Sequence, residues 1–413
     1  MSIISCHECG IASDVERLKA GEVARCPRCH SHLLSSDRDP VQGPVCYALA
    51  SLIAFAASLA YPFMSFSIQG ITQQISLYQA AKVLANFGND TLSVLLISSV
   101  LVLPAIYLIC LLYLYFCISN RELKQFTTGL QIKTLKFLTR IKPWLLVDVF
   151  LIGVLVSLVK ISALADVSMG ISFWAFAIFT CLMVKTIATA DLFWVWQQLF
   201  PYDDTDAEQI SGHCVQDKNH LSCHVCGLIH QYTENEIRCN RCATRLHTFE
   251  PKQNLQVVWA FLLTSMVFYL PANLYPMMYT SALGSNSQGS TILGGVIELW
   301  EMGDYPVALI ILFASILIPI AKMMSLSFLF WHAKRVQHMP FEASYRYLKL
   351  YRVTEFIGRW SMIDIFVVAI LVALVQIDGI MVIYPGPAAL YFAAVVIFTM
   401  LSAMTFDSRM MWR

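Results

Sequence analysis

Residues 143–160, PWLLVDVFLIGVLVSLVK, and residues 359–376, RWSMIDIFVVAILVALVQ, decide how this chain is organised. Each is long enough to cross a bilayer as a helix, which takes about 20 mostly apolar residues. Each carries one acid near its start, Asp148 and Asp364, and the two superpose on a shift of about 216 residues, the distance from Pro143 to Arg359. A membrane helix and an internal duplication are read from the same alignment.

Other landmarks follow the shift. Tyr61-Pro62 matches Tyr275-Pro276, Gly88 matches Gly303, Pro104 matches Pro319, and Asp191 with Trp196 matches Asp407 with Trp412. Six more apolar runs complete the set, giving expected spans near 44–66, 91–117, 143–165, 170–190, 256–278, 305–330, 360–381 and 387–405. The composition agrees: 57% of residues are hydrophobic and 13% charged, against about 25% charged in soluble domains.

Basic residues near helix ends stay in the cytoplasm. They concentrate between spans two and three (Arg121 to Lys142) and between spans six and seven (Lys334 to Arg359), whereas the loops after spans one, three, five and seven hold only Lys82. Both termini are therefore expected in the cytoplasm. Four spans per copy make the copies parallel rather than inverted repeats. The segments Ile71–Asp90 and Ser281–Asp304 are longer than a hairpin needs, and their spaced apolar residues predict short amphipathic helices on the outer surface. A net charge of +1 offers no basic field for a phosphate backbone, so nucleic-acid binding is not expected.

Eight of the thirteen cysteines form two sets, Cys6, Cys9, Cys26 and Cys29, then Cys223, Cys226, Cys239 and Cys242, each set a pair of CxxC turns. Two such turns place four thiolates around one metal, which predicts a zinc ion in each module. Iron is the alternative for the same ligands, and disulfides are disfavoured in a reducing cytoplasm. A segment of about 35 residues folds by binding its metal, so a structural role accounts for the site without sensing. His7, His30, His32 and His224 flank complete ligand sets and are expected to be solvated; Cys46, Cys110, Cys117, Cys181 and Cys214 receive no role.

The expected architecture is a mainly α integral membrane protein. It is a tandem repeat in which a four-cysteine zinc ribbon precedes four membrane helices: 1–40 and 41–200, then 201–250 and 251–413.

Charged groups inside spans are costly and mark function or a partner. Lys322 in span six and Asp364 in span seven fall at depths that allow them to pair, with Ser315, Ser361 and Thr399 at similar levels. Pro319 removes a backbone hydrogen bond between Ser315 and Lys322 and so frees a carbonyl. The first copy has Val100, Tyr107, Leu145 and Met183 where the second has Ser315, Lys322, Ser361 and Thr399; only the aspartate, Asp148, is kept. One half is thereby expected to work and the other to scaffold, a structural ion pair being the alternative. Asp148 and Lys160 are secondary candidates, and Lys160, like Lys185, lies near enough to a span end to reach the interface.

The paired CxxC modules, Leu270-Pro-Ala-Asn-Leu274 with Pro276, Ala314 to Lys322, and Gly358-Arg-Trp-Ser-Met-Ile-Asp364 together resemble the paraquat-inducible protein A (PqiA/LetA) family over essentially the whole chain. The resemblance implies a bacterial inner-membrane protein that works with a periplasmic MCE-domain partner in phospholipid traffic between the two membranes. A stand-alone exporter of small molecules or ions, and a structural anchor for a periplasmic complex, are the other readings. The chain holds no GxxxxGK, GxSxG or HExxH motif, and an enzyme is not expected.

Overall fold

The computed structural model describes the chain apart from residues 1, 16–18, 20, 36–38, 69–70, 87–89, 121–126, 163–165, 202–211, 216–219, 232–237, 247–249, 283–287, 302, 304, 337–338, 375, 378–380 and 413. Among the described residues eight helices are long and apolar enough to cross a membrane. They are Gln42–Ala60, Asp90–Ser119, Thr128–Val159, Ile171–Thr189, Pro251–Leu274, Ala308–Val336, Phe341–Ala373 and Pro387–Thr405, taken below as spans one to eight.

Their number agrees with the sequence, but their ends differ. Spans three and seven begin well before the apolar runs, because the basic connections ahead of them are themselves helical: Thr128–Ile141 and Phe341–Trp360. Both helices are then interrupted. Residues 142–146, with Pro143 lacking an N–H, and residues 361–362 break the ladder before it resumes at Val147 and Ile363. Asp148 and Asp364 fall in the first turn of each resumed helix, where a negative charge meets the positive end of the helix dipole. That role suffices to keep an aspartate in both copies.

The connections expected at the outer surface also depart from the sequence reading. Instead of helix alone, each begins with strands. Met64–Ile68 pairs with Ile71–Ile75 and with Asp166–Met169, giving a three-stranded antiparallel sheet. In the second half Met278–Ala282 pairs with Gln288–Ser290 and Met381–Pro385, and the latter with Gln376–Ile377. The expected helices follow the hairpins as Leu77–Asn86 and Ile292–Glu301. Most of these strands lie between the expected spans in segments of three to five residues, too short for an alternating pattern to declare itself.

Each sheet ties the loop after the first span of its half to the loop before the last. A glycine makes that closure possible. A Cβ at Gly170 would lie 2.1 Å from the Pro62 carbonyl oxygen, and one at Gly386 would lie 2.1 Å from that of Pro276. The glycine N–H groups donate to the carbonyls of Phe63 and Met277 at 3.1 and 2.8 Å. Both contacts are backbone on backbone, so neither can yield by a side-chain rotation. Gly386→Ala is expected to cost about 3 kcal/mol, checked as a fall in the melting temperature of the detergent-solubilised protein; an unchanged value would show that the sheet does not close the second half.

The halves meet along spans three and seven. Phe150 and Phe366 occupy equivalent positions in the repeat, and their rings touch edge to face at 5.4 Å between centroids. Equivalent residues in mutual contact describe an isologous, twofold-like interface. Gly153 lets the helices approach, since a Cβ there would sit 3.1 Å from the Cβ of Phe366. The first-half core of Phe55, Phe63, Phe173, Phe176 and Phe179 continues through Phe150 into span seven.

Candidate functional site

Two kinds of site stand out, the cysteine modules and the buried polar groups of the second half. In the modules all four CxxC turns have one construction. The amide of the residue after each second cysteine donates to the carbonyl of the first: Gly10 to Cys6, His30 to Cys26, Gly227 to Cys223 and Ala243 to Cys239, at 2.7–3.0 Å. These four residues have φ of +72, +55, +74 and +54. Two are not glycine, so the turns are held against the cost of the left-handed region, about 1–2 kcal/mol each. Facing turns bring their sulfurs together, with Cys6–Cys29 and Cys9–Cys26 at 3.5 Å, Cys223–Cys242 at 3.5 Å and Cys226–Cys239 at 3.4 Å.

All ligand sulfurs of a module lie within 4.8 Å of one another and are buried. A tetrahedron with metal–sulfur bonds of about 2.3 Å has edges of about 3.8 Å, so both quartets fit one thiolate-bound ion. Ser31 adds a hydroxyl 3.0 Å from the Cys6 sulfur, and Thr244 one 3.2 Å from that of Cys242. His230, absent from the sequence reading because it lies outside the CxxC spacing, is buried with Nε2 3.3 Å from the Cys239 sulfur. His7, His30, His32 and His224 are exposed.

Each module packs on the half to which it does not belong by the expected order. Arg28 of the first module lies over the Trp412 ring at 5.0 Å, Ser408 Oγ donates to the Glu8 carbonyl at 3.1 Å, and Arg352 donates to the Cys29 carbonyl at 3.3 Å. Arg241, equivalent to Arg28, lies over Trp196 at 5.9 Å and donates to the Phe200 carbonyl at 2.8 Å. Trp196 stands on the short helix Leu192–Leu199 and Trp412 directly follows the turn Ser408–Met411, each element N-capped by one of the equivalent aspartates Asp191 and Asp407. The structural unit is thus four spans followed by a module, with the N-terminal module closing the second half. Cys214 belongs to this junction: it bridges to Ile11, and the Arg28 guanidinium donates to its sulfur at 3.0 Å.

The polar groups converge around Lys322, which is 3% exposed. Its ammonium donates to Thr399 Oγ1 at 2.9 Å and to the Gly358 carbonyl at 3.5 Å. The expected pairing with Asp364 is not made; among the described residues the ion pairs are Glu8 with Arg352 and Asp407 with Arg409. The break at 361–362 explains the change, because it carries Asp364 onto the resumed helix while Lys322 meets the last turn of the preceding one. Gly358, quoted above only as part of a motif, is what makes room: a Cβ there would lie 2.9 Å from the Lys322 nitrogen. Ser361 is buried, with an Oγ that has no hydrogen-bond partner among the described residues. Asp364 is partly buried and the Lys160 side chain lies outside the described residues.

In both copies the turn before the equivalent prolines Pro104 and Pro319 opens into a π-helix, Ile97–Val102 and Leu312–Leu317, with Leu103 N–H reaching back to Ser98 and Ile318 N–H to Phe313. Such turns release carbonyls from the regular ladder, and Tyr269 OH reaches that of Ile316 at 3.5 Å. Ser315 is buried in this turn. The first-half counterparts Val100, Tyr107, Leu145 and Met183 are 0–5% exposed and lie in the apolar core.

The chain matches the family described as paraquat-inducible protein A over residues 41–200 and 255–413. It is 38% identical to the intermembrane transport protein PqiA of Escherichia coli K12 over 99% of this chain and 95% of that protein. It is 31% identical to a probable intermembrane transport protein of Haemophilus influenzae, covering 100% and 96%, and 28% identical to the lipophilic envelope-spanning tunnel protein A of E. coli K12, covering 98% and 90%. No solved structure matches the chain.

Proposed function

The chain belongs to the paraquat-inducible protein A family, and on that premise we propose that it exchanges phospholipid between a bacterial inner membrane and an MCE-type tunnel partner in the periplasm. The curated relatives are transport proteins by name, and the eight apolar helices suit a multi-pass membrane protein. Both four-cysteine modules and both termini lie in the cytoplasm in this reading, following the basic residues flanking the spans. Zinc is the metal of each module, with a structural role.

The observation that carries the reading is Lys322, a buried cation hydrogen-bonded to Thr399, at a position where the first half has Tyr107. Burying a charge in a membrane protein is sustained where it contacts an anionic group or exchanges protons. The second half would then load or release lipid, and the first would hold its shape. A further asymmetry supports this division. On the outer helix Ile292–Glu301 the exposed face carries Leu293, Ile297 and Trp300, where the first copy has Tyr78, Lys82 and Ala85; apolar side chains with a tryptophan suit the lipid interface.

Photoactivatable residues at positions 315 and 364, irradiated in membranes, are expected to give phospholipid adducts that positions 100 and 148 do not. Equal adducts from both halves, or none from the second, would refute the assignment of the work to the second half.

A further inference from the structure

Two cavities lie end to end in the second half. The deeper, about 210 Å³, is lined by Lys322, Gly358, Met400 and Glu355 among others. The other, about 360 Å³, opens between the two cysteine modules and the C-terminal turn, and its wall includes Glu8, Tyr351, Asp407 and, again, Glu355. Glu355 and Met404 border both. Tyr351, Glu355 and Gly358 stand at i, i+4 and i+7, so one helical face runs from the module side to the carbonyl that accepts from Lys322.

The first copy has no equivalent stripe. The positions matching Tyr351, Glu355 and Gly358 hold Leu135, Thr139 and Lys142; Leu135 is buried and the Thr139 hydroxyl bonds back to its own helix at 2.9 Å. Glu355 is thus paired in the repeat with the presence of Lys322. Around it the inner cavity contributes the cations Lys142 and Arg359, and the outer one the acids Glu8 and Asp407 with Arg409.

We propose that the two cavities form one water-filled passage through which protons reach Lys322 from the face bearing the cysteine modules, with the Glu355 carboxylate making their junction selective for cations. An acid at a constriction concentrates cations and repels anions, as charged rings do in channels. This rests on the reading of Lys322 as the working group of the second half, and it adds the side from which that group is reached.

The test uses the full chain with Cys46, Cys110, Cys117, Cys181 and Cys214 replaced by serine and a single reporter, Lys322→Cys, in vesicles of known orientation. The probes are a trimethylammonium and a sulfonate methanethiosulfonate of similar size. The cationic probe is expected to modify the reporter only when applied from the module side, and Glu355→Gln to slow that reaction about tenfold while leaving the anionic probe no slower. Met400→Cys serves in the same way if Lys322→Cys does not fold, judged by bound metal and melting temperature. Reaction only from the opposite face, no reaction at either position, or a cationic rate indifferent to Glu355→Gln would overturn the proposal. Because no transport is measured, failure of the passage is distinguishable from failure of the functional reading, which would show as lipid transfer surviving the loss of Lys322.

Discussion

Lys322→Met is expected to abolish the proposed lipid transfer and to leave the melting temperature unchanged or raised. The two halves of this expectation come from opposite sides of one energy balance. Lys322 is 3% exposed and has two hydrogen-bond acceptors, Thr399 and the Gly358 carbonyl, with no carboxylate paired to it among the described residues. Desolvating a charge for so little compensation is costly, and replacing buried charged groups by apolar residues of similar volume is often neutral or stabilising by about 1–4 kcal/mol. Methionine fills nearly the same space without the charge.

For function the sign reverses. A hydrogen bond to a charged group contributes about 1.5–3 kcal/mol, so Thr399→Val alone, which removes one, is expected to slow transfer by about 10- to 100-fold. Removing the charge itself takes away what both the lipid-contact and the proton-exchange roles require. The measurement is transfer in reconstituted membranes alongside a melting curve. Wild-type transfer by Lys322→Met would reduce the lysine to a structural detail, and a joint loss of transfer and stability would make it a helix tie.

The second large effect concerns the modules. Cys26→Ser is expected to unfold the N-terminal module and to expose the second half of the protein, not the first. A four-cysteine module of this size has too small a core to fold alone, and thiolate metal binding contributes roughly 10–16 kcal/mol to such folds. Losing one ligand removes much of that. The segments then uncovered are those the module covers: Arg28 leaves Trp412, and the bonds from Ser408 to Glu8 and from Arg352 to Cys29 are lost.

Hydrogen exchange or limited proteolysis should therefore report new openings around 341–360 and 405–412. Cys239→Ser should give the mirror result around 192–200, where Arg241 sits on Trp196 and Phe200. If each substitution instead loosened the spans that follow its own module, the crossed packing would be wrong.

How much of this was legible beforehand differs by feature. The eight spans rest on local hydropathy, and the tandem repeat on self-similarity at one offset. The two cysteine quartets rest on a spacing that permits one geometry, whereas the π-turns before Pro104 and Pro319 were not foreseen from the missing proline donor. The spans, the repeat and the quartets are decided by residues close together in the chain, or by comparing the chain with itself. Lys322 and Thr399 were singled out by depth, and depth placed them at one level; it could not say that the helix break at 361–362 would turn Asp364 away and leave Gly358 beneath the ammonium.

The sequence by itself determined the composition of the parts: two copies, four apolar helices in each, and two complete thiolate sets. Only the tertiary structure decided which parts touch. Duplication makes every interface in one copy available in the other, so Arg28 and Arg241 each had two equivalent tryptophans to meet, and local signals are blind to that choice. The order of modules along the chain suggested that each serves the spans after it. Packing placed the N-terminal module against the far end of the chain instead: with Arg241 seated on Trp196 at the end of the first half, Trp412, already packed on Phe341, is met by Arg28.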